Sequence, residues 1–510
     1  MAAWWLSRRA GRSPDTLFHP QAGRRLRVLP GLGALLLAAG LLWWLYPQGV
    51  SRLSGEFHLV AQSPLTSAQA SAVPALQHAP QDLAAQPLWP ASTSGLQARP
   101  LTQAALQQVA PLLGQAEARL IEIYQLIGQG QHRQALAQAQ ALTRDHPNFQ
   151  LAQLVLGDLL SMQSRPVRLL GDVPDAKAQA ASEQLAVLRD ESRRRIQALT
   201  ERPPAGSIPA QFLQLSAQNR HAIAIDASRS RLYLFENLRA SQPNSGAARA
   251  PSLRLLADFY ISVGLSGIKK TVEGDQRTPL GIYHITNNLN PNDLPDLFGV
   301  GALPINFPNP LDLKRGKTGS GIWLHGTPSD QFARAPQASD GCVVLSNPDL
   351  ERVLATVRIH TTPVVIAAEL HWVPAQTLLG KRAQFEATLQ AWQQARSTLD
   401  LEQLKAFYSS RFSHHGRDLG RTILSTPESR QRNPARPLQQ WWPALVAELQ
   451  AEGPQQWDIK DLSLLHWRDR QDSMVVTFGQ VPAGQTSGVT LRQYWLREGD
   501  EWKIFYEGVI

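Results

Sequence analysis

The chain of 510 residues contains one cysteine, Cys342. The stretch around it, "HGTPSDQFARAPQASDGCVVLSN" from residue 325 to 347, opens on a His-Gly pair. Thiol and imidazole are the elements of nucleophilic catalysis, since a thiolate attacks an acyl carbon and forms only beside a base or a positive charge. "GIWLH" reads as an apolar strand delivering His325 at its end, and "GCVVLS" as a strand beginning at the thiol. Neighbouring strand ends would then set imidazole beside sulfur. Gly341 would let the backbone approach a substrate carbonyl closely, and amide N–H groups around Cys342 would face the oxyanion. Each half of this pattern has a plain structural counterpart. A cysteine opening an apolar strand packs as a small hydrophobe, and His-Gly after a strand makes a turn. Together, in a chain with no other cysteine, they favour catalysis. One thiolate and scattered histidines, His414 and His415 among them, lack metal-ligand spacing, so no metal or cofactor is expected.

The compartment decides what a lone thiol means. Arg8, Arg9, Arg12, Arg24, Arg25 and Arg27 precede the uncharged run "VLPGLGALLLAAGLLWWLY" at 28–46, and only Arg52 stands close after it. The run is close to the roughly 20 residues that cross a bilayer as a helix. The arginine asymmetry makes 1–27 a cytoplasmic basic tail and 28–46 a transmembrane anchor, with Trp43, Trp44 and Tyr46 at the far interface. No A-x-A-like cleavage site follows, so the anchor is read as uncleaved. An exported chain with one cysteine has no internal disulfide to form, and its thiol is a liability unless it has a task. The net charge of +9 sits mostly in residues 1–54, which hold seven arginines and one aspartate. No later basic run carries interleaved aromatics, which excludes nucleic-acid binding.

The elements that must position the two residues follow from pattern. Residues 55–100 are rich in Pro, Ala, Gln and Ser and read as a flexible linker. Residues 101–200 are helical. Leu120, Ile123, Tyr124 and Ile127 share one helix face, Ala135, Leu136, Ala139 and Leu142 another, and Pro147 closes the second helix. This α-helical hairpin region resembles a tetratricopeptide-type pair and is read as a spacer or a docking module for envelope partners. From His221 the apolar period becomes two: "HAIAIDASRSRLYLFEN", "LRLLADFYISVGL" and "GIYHITNN" are strands, and helix returns at "SNPDLERVLATV", where Asn347 is placed to cap and Pro348 suits the first turn. Beyond 376, Phe385, Leu389, Trp392 and Leu399 line one helix face and "LEQLKAFYSSRF" continues as a second helix. Three alternating segments follow, so 376–510 forms an α+β unit. Its "YWLREGDEWKIFY" hairpin and element order resemble the cone-like fold of nuclear-transport-factor-like (SnoaL-like) domains.

The ordered set "GDQRTPLGIYHI", "GIWLHGT" and "SDGCVVLS" resembles the catalytic domain of the YkuD-type L,D-transpeptidases, over residues 219–368. The resemblance implies a β-rich catalytic fold with Cys342 as nucleophile and His325 as proton acceptor and donor. Gly326, Ser339, Asp340 and Gly341 would line the substrate. That substrate is the peptidoglycan stem peptide, and the anchored chain would work from the inner membrane with its catalytic domain in the periplasm. The acyl group would go to an amine of another stem, a free D-amino acid or a lipoprotein lysine. With water as acceptor the enzyme would be an L,D-carboxypeptidase or an amidase releasing a wall-attached lipoprotein. A non-catalytic wall-binding scaffold is the third reading. The family's commoner signature is Ser-His-Gly-Cys followed two places on by a polar or arginine residue; here Asp340 stands for the histidine, and Val343 and Val344 are apolar. A carboxylate beside sulfur opposes thiolate formation unless it points away or is paired. Without that arginine, Arg277, Lys314, Arg315, Lys317 and Arg334 are the cations left to meet a substrate carboxylate. Asp275 and Arg277 are given no catalytic role.

Overall fold

The computed structural model describes residues 109–172, 179–241, 250–414 and 436–510. The basic tail, the 28–46 span and the linker lie outside them. Among the described residues no helix is long and apolar enough to cross a membrane.

The chain begins with helices α1 (Gln115–Gly128), α2 (His132–Asp145), α3 (Gln150–Ser161) and α4 (Ser182–Thr200). The expected pair is thus joined by two further helices. Leu120, Ile123, Ala135, Ala139, Leu142, Leu151 and Val155 bury one common face, at the three-to-four-residue spacing that a helical stripe needs.

Strands β1 (Ser207–Pro209), β2 (Phe212–Gln214), β3 (His221–Asp226), β4 (Arg231–Asn237), β5 (Leu253–Tyr260), β6 (Val263–Gly264), β7 (Gly281–His284) and β8 (Ala302–Pro304) come next. Helix α5 (Pro310–Lys314) leads to β9 (Trp323–His325), β10 (Gln337–Ser339) and β11 (Val343–Val344). Helix α6 (Asn347–Thr356) is followed by β12 (Pro363–Ala367) and β13 (Trp372–Pro374). A five-stranded sheet runs β5-β4-β3-β12-β7, and a three-stranded sheet runs β11-β9-β8. Period-two alternation gives the larger sheet two apolar faces. Ile223, Ile225, Leu232, Leu234, Val364 and Ile366 point to a core shared with Leu303, Leu324, Val343 and α6. Ala222, Ala224, Tyr233, Phe235 and Val365 point the other way.

That second face meets the C-terminal part. It comprises α7 (Leu379–Thr398), α8 (Leu401–Ala406), β14 (Tyr408–His414), β15 (Arg436–Pro437), α9 (Leu438–Glu452), β16 (Trp457–Arg468), β17 (Asp472–Pro482), β18 (Val489–Glu498) and β19 (Glu501–Val509). "LEQLKAFYSSRF" is helical only through Ala406; from Tyr408 it is strand, because Tyr408 and Phe412 bury against Trp441. The seven-stranded sheet, β15-β14-β19-β18-β17-β16-β2, buries Met474, Val476, Phe478 and Trp495 against α7 and α9. Its other face sets Leu465, Trp467, Val475, Tyr494 and Phe505 on the five-stranded sheet, in one continuous core. Strand β2 precedes the five-stranded sheet in the chain yet pairs with β16, and β1 pairs with β13.

Candidate active site

Cys342 and His325 are carried by neighbouring strands of the small sheet. Strands β9 and β11 are parallel, with Val343 opposite Leu324 and Val344 opposite His325. Leu324, Val343, Ile322 and Leu345 point into the core. By alternation Trp323, His325, Cys342 and Val344 therefore share the opposite face. Extending the register sets Cys342 beside Trp323, one diagonal step from His325, an ideal Cα separation of about 8 Å. Cys342 is half-buried as a residue.

The imidazole is held from behind. His325 Nδ1 lies 2.7 Å from the Gly326 carbonyl oxygen. A carbonyl only accepts, so Nδ1 carries the hydrogen and Nε2 keeps its lone pair. Phe298 stands edge-on to the ring at 5.0 Å and packs on Trp323 at 4.7 Å. Burial pushes the imidazole down to about 4, the Gly326 bond opposes, and the Arg334 charge adds to the fall. Burial pushes the Cys342 thiol up to about 11; the Trp323 N–H favours the thiolate, Asp340 disfavours it, and Arg334 and Lys270 favour it. The resting pair is thus neutral thiol and neutral imidazole, and the thiol donates to the Gly321 carbonyl at 3.4 Å.

The turn before the thiol is built tightly. Ser339, buried, donates to the Cys342 carbonyl at 2.6 Å and accepts from the Gly341 N–H at 3.2 Å, so its hydroxyl is committed to the turn. Gly341 has φ +119, and a Cβ there would sit 2.7 Å from the Arg277 carbonyl oxygen. Thr278 donates to the Gly341 carbonyl and accepts from the Gly264 N–H, both at 2.9 Å. The "RTPLG" turn is therefore the wall against which the thiol turn leans. Asp340 is exposed and accepts from Gln276 Nε2 at 3.2 Å. Asp275 accepts from Lys270 and from the backbone of Thr271, Val272 and Arg277; burial opposes, but these bonds hold it at about 2.

Asn347 does not cap α6. Ser346 does, accepting from the Asp349 N–H. Asn347 instead accepts from the N–H groups of Val300 and Thr327 and donates to the Thr327 carbonyl. Gly326 makes room for it: a Cβ there would meet Asn347 Oδ1 at 2.1 Å. Among the five candidate cations, Lys314 bonds the Arg411 carbonyl, Arg315 the Asp469 carboxylate, Lys317 Asp312, and Arg277 the Ile268 carbonyl. Arg334 makes one long contact, 3.5 Å to the Ala338 carbonyl, and its charge bears on both thiol and imidazole. Sequence reasoning passed over Phe298, whose only signal was an aromatic before Gly299 in "PDLFGV". Among the described residues no cluster of His, Cys, Asp or Glu could hold a metal ion.

Residues 220–366 match the YkuD family, described as the L,D-transpeptidase catalytic domain. No curated protein matches the chain. Among solved structures, Bd1075 of Bdellovibrio bacteriovorus is 22% identical with a TM-score of 0.46, covering 59% of this chain and 98% of its own. Pgp2 of Campylobacter jejuni, described as a helical cell shape determining protein, is 20% identical with a TM-score of 0.43, covering 59% and 95%. An NTF2-like protein of unknown function from Pseudomonas putida KT2440 is 11% identical with a TM-score of 0.20, covering 25% and 83%.

Proposed function

We propose that this protein is a peptidoglycan L,D-transpeptidase, anchored in the inner membrane by residues 28–46 and acting in the periplasm on the stem peptides of the wall. The observation that carries the reading is the β9–β11 register, which sets half-buried Cys342 and buried His325 on one face, within a segment that matches the transpeptidase catalytic domain.

The chemistry follows from the resting state. Substrate binding excludes water, and as the Cys342 sulfur attacks the scissile carbonyl its proton passes to His325 Nε2. The tetrahedral oxyanion collapses, the C–N bond breaks, and the departing D-alanine amine takes the proton back from the imidazolium. A thioester on Cys342 remains. An incoming amine attacks it, loses its proton to Nε2, and expels the thiol. Nε2 is suited to both directions because Nδ1 is fixed as the donor to Gly326.

A second reading, with water as acceptor, gains support from one observation. The position before Gly341 carries an exposed carboxylate, Asp340, instead of an imidazole. Such an enzyme would act as an L,D-carboxypeptidase or as an amidase releasing a wall-attached lipoprotein. A scaffold without activity would suit a sealed thiol better than a half-buried one.

The test is mass spectrometry of the full chain incubated with labelled stem peptide, with and without an amine. The expected result is a thioester on the parent protein, absent from Cys342→Ala, and formed at least a hundredfold more slowly in His325→Ala, on the order of what general-base catalysis contributes. Label appearing in the amine adduct supports transfer, and label released as free acid supports hydrolysis. A parent protein that never acquires the stem mass overturns both.

A further inference from the structure

The segment joining His325 to Cys342 is held in part by the helical region. Its Phe332 ring is buried in the helical core, stacked on Phe149 at 4.3 Å and tilted against His146 at 5.0 Å. The Phe332 N–H donates to the Asn148 carbonyl at 3.1 Å, and Asn148 Nδ2 donates back to the Ser329 carbonyl at 3.0 Å. All three helical partners lie in the turn between α2 and α3. Two residues past Phe332, the Arg334 carbonyl accepts from the Tyr260 hydroxyl at 2.9 Å. The Arg195 guanidinium of α4 covers the Tyr260 ring at 3.9 Å and the Phe149 ring at 5.5 Å. Arg195 is fixed in turn by Glu117 at 2.9 Å and Glu191 at 2.8 Å. The helices thus grip the backbone before Ala333, and Tyr260 of β5, itself covered by Arg195 of α4, grips it after, so that both set where Arg334 begins.

We infer that Phe332 and Asn148 are positioning residues for the active site: the helical region seats the loop that carries Arg334, and Arg334 presents a cation to an anionic group on the substrate. The inference rests on the transpeptidase reading for its substrate and not for its geometry. A loop without regular structure, between Pro328 and Pro336, has few contacts of its own to fix a long arginine. An aromatic plug inserted in a neighbouring core supplies them. Arg334 Nη1 reaches the Ala338 carbonyl at 3.5 Å, in the strand that leads into the thiol turn, and a cation held in place there recognises a carboxylate by charge and by hydrogen bonds better than a mobile one.

The experiment compares alkylation of Cys342 by iodoacetate, an anion, and iodoacetamide, its neutral analogue, in the full chain at about pH 9, where thiolate is measurable. Arg334→Gln is expected to lower the iodoacetate-to-iodoacetamide rate ratio about threefold, the size of one nearby charge in a wet site. Phe332→Ala is expected to lower it equally, Asn148→Ala by less, and Phe332→Leu, which keeps an apolar plug, to restore it. The double variant Arg334→Gln/Phe332→Ala should match Arg334→Gln alone, because the plug acts through the arginine. With stem peptide, Phe332→Ala should raise KM about tenfold and leave kcat nearly unchanged, the signature of lost binding. An unchanged ratio in Phe332→Ala, or effects that add in the double variant, overturns the inference. Should Phe332→Ala fail to fold, Phe332→Leu and Asn148→Ala decide it: Asn148→Ala at the parent ratio overturns it. If no stem acylates the protein while the alkylation pattern holds, the transpeptidase reading falls and the positioning role stands.

Discussion

Burial moves the two titratable groups at the cleft in opposite directions, the thiol up to about 11 and the imidazole down to about 4. Neither shift favours an ion pair at rest, so under the proposed mechanism the sulfur loses its proton during attack and not before it. This fixes the pH behaviour. In the proposed mechanism the base is neutral His325, present above about 4 and lost as pH falls through that value. Single-turnover acylation should therefore hold a plateau across neutrality, with its acid limb near 4 and no limb near 6.5. Alkylation by iodoacetamide needs thiolate and has no base to help it, so its rate should climb about tenfold per pH unit until it levels near 11. A level rate from pH 6 upward would show a preformed thiolate and refute this account. Asp340 opposes the thiolate, as a carboxylate must, but it is a lesser influence than burial and is turned toward Gln276.

At the scale of elements, the active face exists because short strands are pinned by turns and side chains from far along the chain. Gly341 shows the constraint most directly, since φ +119 is closed to other residues and the Arg277 carbonyl occupies the space a Cβ would need. Gly341→Ala should cost about 1–3 kcal/mol of stability and slow acylation more than Ser339→Ala, read by urea unfolding and by thioester formation on the same samples. The strands at 221–237, 253–260 and 281–284 were legible because alternation of apolar residues is the direct image of a sheet with two buried faces. Helices α1 and α2 were legible for the corresponding reason at period 3.6. Other features left no such imprint. Strand β2 is three residues long and finds its partner near Leu464, so nothing local distinguishes it from loop. Asn347 looked like a cap because its neighbours open a helix, yet its amide ties two loops together. The neighbouring of β9 and β11, which carry His325 and lead from Cys342, was visible as strand ends, while Phe332 in its helical slot is a contact that no spacing encodes.

For the molecule as a whole, the helical region and the catalytic sheet share a buried ionic cluster. Glu117 bonds Arg231 at 2.8 Å and Arg195 at 2.9 Å, Arg231 bonds Asp258 at 2.6 Å, and Arg202 also reaches Asp258. Burial raises the Glu117 carboxyl, but the two guanidiniums outweigh it and hold it below its ordinary value. A depressed carboxyl contributes stability above its unfolded pKa and loses it as pH falls through the folded value. Glu117→Gln leaves two buried guanidiniums short of charge and should cost about 3–5 kcal/mol at neutral pH, a penalty that calorimetry should find shrinking at acid pH. Burial also runs continuously across the expected domain limits at 219, 368 and 376. Residues on both sides of them, Phe212 and Tyr494 among them, belong to one core.

The pairing of β1 with β13 has a topological outcome. Ser207 faces Pro374 and Pro209 faces Trp372, so the stretch between them is a ring fastened at its base. Its two ends stay neighbours whatever happens within. Excised at that fastening, the ring would leave bare the apolar side of its sheet that Trp467 and Phe505 now cover, and such a fragment would associate with itself before it met any substrate.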